Sequence, residues 1–143
     1  MNKTVIKMVS DRLREVEELR WIDIDTGQLD LLGQRPAVAF PACLIDLAIP
    51  ECSDTGGGGQ IVTANITLRV AFSLTGATNA QQPDMERSMS FLGAIDSIHG
   101  VLQNWSNDTL SAFTRVAGSN ERRRDGIKVY RITYQTTYHE YFD

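Results

Sequence analysis

The stretch that most constrains this chain lies between Gln60 and Leu74. Val62, Ala64, Ile66, Leu68, Val70, Phe72 and Leu74 hold every second position, with Thr63, Asn65, Thr67, Arg69 and Ser73 between them. Side chains alternate sides only along a strand, so seven apolar residues in strict alternation demand a long strand with one face buried and one polar. Such a strand needs paired neighbours along its edges and an apolar layer over one face. The rest of the chain has to supply both.

Two segments can supply the layer. Val5, Val9, Leu13, Val16 and Leu19 recur every three or four residues and predict an amphipathic helix over residues 2–19, with Asn2 or Thr4 available as its cap. A second helix is expected over 83–103, opened by Pro83, with Met85, Met89, Leu92, Ile95, Leu102 and Trp105 as its buried stripe. Strand partners are expected at 37–47, where Pro41 hints at an edge or a bulge, and at 110–122 and 127–141. Arg124-Asp125-Gly126 between the last two is a hairpin signal. Tyr130, Ile132, Tyr134 and Tyr138 share one face of the last strand, where they read as packing rather than a base-stacking platform. Trp21–Ile24 is a short extended piece, Asp25–Gln28 a turn, and 29–36 irregular.

The segment 50–60, PECSDTGGGGQ, reads as a flexible glycine-rich loop. Alanines at Gly56–Gly59 are then expected to leave the melting temperature nearly unchanged. The resulting fold class is α+β: a single domain over 1–143, with one antiparallel sheet and both helices on its apolar face. The polar face of strand 60–74 is left to solvent or a partner.

Lys plus Arg is 14 and Asp plus Glu 18, giving a net charge of −4, and hydrophobic residues make up 42%. These values exclude a disordered tail, a cystine scaffold and a surface devoted to nucleic acid. No run approaches the ~20 apolar residues of a membrane span. Asp11, Glu15, Glu17 and Glu18 break any secretory signal at the start, so the expected location is the cytoplasm. Cys43 and Cys52 are then free thiols.

Little here resembles catalysis. His99 lies three residues after Asp96 on the second helix, where the two could touch as a base and its orienter; packing with one hydrogen bond is the expected role. His139 belongs to the surface of the last strand. Gly56–Gly59 lacks the Lys-Ser/Thr of a phosphate loop and leads into a strand, so no helix N-terminus awaits an anion. Arg122, Arg123 and Arg124 form the only basic run, either a solvated hairpin end or a contact to an acidic subunit surface or DNA phosphate, and too small to read sequence. No enzyme activity, catalytic residue, metal or cofactor is expected.

The order of elements resembles a known family. An amphipathic helix precedes the strand pair AVAFPACLIDL and QIVTANITLRVAFSL; the helix MERSMSFLGAIDSIHGVLQNW follows, and the closing strands end in IKVYRITYQTTY. This arrangement is similar to the tail terminator (tail completion) proteins of long-tailed bacteriophages and prophages, over about residues 2–140. The resemblance implies a homo-oligomeric, hexameric ring that caps the tail tube and joins the head, with partners in the tail-tube protein and a head-completion or connector protein. It implies a virion-tail location, reached through the host cytoplasm, with no membrane, cofactor or sequence-specific nucleic acid. Thr55, Gly56, Gly57, Gly58, Gly59, Arg122, Arg123 and Arg124 are the candidate partner-binding residues. The alternatives are another phage neck or tail-tube subunit, or a small ligand-binding or enzymatic α+β domain using Asp96 and His99.

Overall fold

In the computed structural model, which describes residues 1–31, 35–73, 84–123 and 125–142, the alternating segment is strand β3, Gly59–Ser73. The expected loop at 76–82, Leu74, Pro83 and Arg124 lie outside the described residues. Around β3 the chain builds α1 (Asn2–Leu13), β1 (Trp21–Ile24), β2 (Ala42–Gly56), α2 (Asp84–Leu102), β4 (Thr114–Glu121) and β5 (Ile127–Tyr141). The five strands form one sheet in the order β1-β2-β3-β5-β4.

The coarse α+β class holds, but the sheet is mixed rather than antiparallel. β1 runs parallel to β2, pairing Trp21 with Ala42 and Ile24 with Ile45. The reason is the connection: Leu29, Val38 and Phe40 pack against one face of the sheet before β2 begins, and a connection that crosses the sheet returns a strand in the same direction. The strand expected at 37–47 starts only at Ala42, after Pro41.

β3 and β5 pair without interruption from Gly59–Tyr141 to Ser73–Ile127. Val62, Ala64, Ile66, Leu68, Val70 and Phe72 face the helices and join Ile132, Tyr134 and Tyr138 of β5 in the main core. α1 contributes Val5, Val9 and Leu13, and Arg12 donates from Nε to the Val101 carbonyl at 2.7 Å, tying α1 to α2. α1 ends at Leu13 rather than Leu19; three-residue turns then carry Val16 into the core and leave Leu19 half-buried. Its cap position is Met1, with no side-chain cap from Asn2 or Thr4.

The stripe of α2 is as expected at Ile95 and Leu102 and departs from expectation in the first half of the helix. Ala94, Ile95, Ile98 and Leu102 are buried and Phe91 packs on Phe72, whereas Met85, Met89 and Leu92 are 71%, 60% and 47% exposed. The sheet's apolar face lies beneath only the C-terminal half of the helix. β4 is shorter than expected, because Leu110 and Phe113 reach the core from the loop before it. Cys43 is buried in the core and Cys52 is exposed on β2.

The second face of the sheet is not left wholly open. Leu29 from the crossover packs with Ala42, Leu44, Ala71 and Val129, flanked by Val38, Phe40 and Ile127. One end of the polar face is therefore roofed, and only the other end, with Thr63, Asn65, Thr67, Thr133 and Gln135, is half-exposed.

Ile66 is fully buried at the centre of β3, between Leu68 and Ala64 on the helix-facing side. Ile66→Asp should cost about 4 kcal/mol or more, enough to unfold a domain of this size, since a carboxylate would be buried without a partner. Circular dichroism and urea unfolding of the variant check the orientation of β3; a cooperative fold of unchanged stability would mean the other face is inward.

Candidate functional site

The segment expected as a loop at 50–60 is strand, turn and strand. β2 continues through Gly56 and β3 begins at Gly59, so only Gly57 and Gly58 remain for the turn. Pro50 is accommodated because Ile49 and Pro50 form a bulge between the Ala48–Asn65 and Glu51–Thr63 pairs, where a missing N–H breaks no ladder. The polar character of residues 51–55 reflects exposure rather than irregularity, since a strand tip with no layer above it carries no apolar alternation.

Two glycines of this turn are fixed by geometry. Gly58 has φ +82, and an added Cβ would collide with the Phe142 carbonyl. The Phe142 N–H donates to the Gly58 carbonyl at 2.9 Å, so the end of the chain past β5 closes against the turn. A Cβ on Gly59 would meet Thr55 Oγ1 at 2.6 Å and the Tyr141 ring at 3.1 Å. The expectation that alanines are silent at Gly56–Gly59 is therefore corrected. Gly58→Ala should destabilise by about 1–3 kcal/mol through positive φ and the collision with Phe142. Gly57, with φ +63 and open space around it, should accept Asn within about 0.5 kcal/mol. Thermal melts of the two variants side by side check the contrast.

The basic run lies at the opposite end of β5. Arg122 is exposed and has no ion pair among the described residues. Arg123 is a bracket instead: it pairs with Asp125, approaches Glu121 at 3.7 Å and donates to the Leu29 carbonyl. The Arg123 guanidinium also holds the Asp125 carboxyl below its ordinary range. The two candidate contact regions are thus not one site. Gly59 pairs with Tyr141, whereas Arg122 and Arg123 follow Glu121, which pairs with Val129, and twelve steps of strand put the two regions about 40 Å apart.

Beside Arg123 stands a cluster that the spacing of residues did not reveal. Arg69 lies on the polar side of β3, its side chain only 7% exposed. Its Nε and Nη2 donate to both oxygens of Glu121 at 2.9 Å, and Nη1 and Nη2 donate to both oxygens of Asp30 at 3.1 and 3.0 Å. Asp25 completes the ring at 3.6 Å, and Arg131 donates to Glu121 at 3.1 Å. Two bidentate forks satisfy a buried guanidinium almost completely. The only signal in the sequence was Arg69 itself, the sole charged residue in its strand. The cluster clamps the crossover to β3, β4 and β5; it is an organising element, with no open position for a substrate.

Hydrogen bonding from Arg69 holds the carboxyls of Glu121 and Asp30 below their ordinary values. The unfolded chain therefore binds more protons in acid than the folded chain does. The stability these groups supply is complete above the unfolded glutamate value near 4.5 and is lost as pH falls through the lower folded values. Glu121→Gln should weaken folding at neutral pH and flatten the acid limb. Urea midpoints measured from neutral pH down to pH near 3 check both effects.

His99 does not pair with Asp96. Its Nδ1 bonds the buried Tyr134 hydroxyl at 2.8 Å, while Asp96 is exposed. Burial lowers the His99 pKa, the Arg115 charge lowers it further, and Asp96 pulls weakly the other way. Burial pushes Tyr134 up to about 12, so the phenol stays protonated. A neutral imidazole on a core phenol is a packing contact rather than a base held by an orienting carboxylate. Among the described residues no group of three or more His, Cys, Asp or Glu is placed to hold a metal, and no helix is long and apolar enough to cross a membrane.

No family model matches the chain, and no curated protein matches it.

Proposed function

We propose that this chain is a structural subunit of a bacteriophage or prophage tail, of the tail-terminator kind. In this reading it assembles as a ring on the finished tail tube and presents its other side to the head. The observation that carries the reading is the separation of its two candidate contact regions. The glycine turn and the Arg122 end cap one continuous β3–β5 ladder from opposite ends, with the clamped crossover bracing the arginine end. A subunit that joins two partners in a stack needs that arrangement: two docking ends on a body stiff enough to hold them apart.

The element order supports the same reading. Helix, short strand, long hairpin, helix and closing hairpin follow one another as in the resemblance drawn from the sequence, with the sheet mixed at its first strand. At the turn, residues 51–58 are exposed, and the strand ladder gives that tip a defined shape for docking on a tube. The Asp96–His99 alternative finds no support in a histidine bonded to Tyr134.

The reading expects a tail-tube gene beside this one, and the test uses tubes assembled from its product. Added protein should stop tube growth and appear as a cap on one end in negative-stain electron micrographs. Gly57→Asn, which leaves the turn intact but adds a side chain at its outermost point, should lower end occupancy several-fold at unchanged melting temperature. Tubes that lengthen unchanged, with no density at either end, would remove the tail reading.

A further inference from the structure

The two outer edges of the sheet carry opposite charge, and each has unpaired backbone. β1 covers β2 only from Ala42 to Ile45, so β2 from Asp46 to Gly56 is an uncovered edge. On and beside it, Asp46, Glu51 and Asp54 have no ion-pair partner among the described residues, and Asp46 and Glu51 are exposed. β2 from Ala42 to Gly56 holds three acidic side chains and no basic one. The other edge is β4, exposed along nearly its whole length. Residues 114–131 hold six basic side chains against two acidic, and among them Arg115, Arg122 and Lys128 are without ion pairs among the described residues. Both acidic residues of that stretch, Glu121 and Asp125, are already bound to arginines.

We propose that the uncovered acidic edge of β2 in one copy of this chain pairs with the basic edge strand β4 of the next copy, head to tail. The inference rests on the self-assembly part of the proposed function, and it names the surface. β2 runs with β5 and β4 runs against it, so copies added in one orientation meet in antiparallel pairing. The unmet N–H and C=O groups of both edges then complete a ladder across the boundary. Charge decides which edges meet. β4 against β4 would set Arg115 and Arg122 beside their own counterparts, and β2 against β2 would do the same with Asp46 and Glu51. Only the mixed contact brings opposite charges together, and a mixed contact is heterologous, the kind that closes rings.

Edge protection is placed consistently with this use. β4 has a bulge between Arg115 and Ala117, but from Ala117 to Glu121 it pairs regularly with β5 and its outer edge carries no lysine or proline. β2 has its bulge at Ile49 and Pro50, and Glu51–Asp54 beyond it is regular again. Each edge therefore keeps a short unobstructed run of four or five residues for a neighbour.

The experiment reverses one edge at a time at exposed positions. One variant carries Arg115→Glu and Arg122→Glu, making both edges acidic; the other carries Asp46→Lys and Glu51→Lys, making both edges basic. Circular dichroism and urea midpoints establish that each is folded. Sedimentation equilibrium at low salt should show the parent protein associating, with the association weakening as salt rises. Each variant alone should associate about tenfold more weakly or worse, and an equimolar mixture of the two should associate again. A parent that stays monomeric at low salt, variants that associate as well as the parent, or a mixture that does not recover would each overturn the interface. So would a mass that saturates at two copies. The tube-capping assay separates this from the tail reading. Recovery by mixing without any capping keeps the interface and rejects the tail role, while full capping by both variants does the reverse.

Discussion

The uninterrupted pairing of β3 with β5 is the constraint on which the rest of the molecule depends. Fifteen consecutive residue pairs run from Gly59–Tyr141 to Ser73–Ile127 without a bulge. Because the two strands stay in register throughout, Val62 to Phe72 of β3 and Ile132, Tyr134 and Tyr138 of β5 meet on one side, and α1 and α2 can share a single core above it. The same register delivers Phe142 to the glycine turn at one end and sets Glu121 beside Val129 at the other. Bulges occur only in the flanking strands β2 and β4, where a local change of phase does not disturb the layer over the helices.

The Arg69 cluster organises the opposite face. A guanidinium this deeply buried contributes little net stability over an apolar replacement, but removing its carboxylates would leave a charge stranded. Its partners come from the crossover, from β4 and, through Arg131, from β5. That arrangement suits a device that selects one path for residues 25–31 among several that would bury Leu29 equally well. The small apolar cluster beneath the crossover supplies the burial, and the ion cluster supplies the choice.

How much of this was legible in the sequence follows from where each signal resides. β3 and β5 were readable because alternation over a dozen residues has no other cause, and Tyr134 and Tyr138 lie inward as their spacing requires. The outer half of β2 was not, because a strand tip without a covering layer shows no alternation and a run of glycines reads as a loop. The buried side of α2 was legible only in part: Ile95 and Leu102 lie inward as expected, but Met85, Met89 and Leu92 continue as regular a stripe as Phe91 and Ile98, and only the reach of the sheet decides between them. The parallel β1 and the Arg69 cluster depend on contacts between segments some twenty to fifty residues apart, which local periodicity does not carry. At the candidate contact regions the sequence indicated Arg122 and the glycines, but not that Arg123 is occupied by Asp125 and Glu121.

The two cysteines have a practical consequence. Burial pushes the Cys43 thiol up to about 12, so it stays protonated and shielded beneath the helices. Cys52 stands exposed on the uncovered run of β2. Thiolates attack alkylating and spin-labelling reagents, so the native protein will be modified at Cys52 and not at Cys43. The outer edge of the sheet thus comes with its own attachment point for a fluorophore or a cross-linker, and no residue has to be engineered to watch what approaches it.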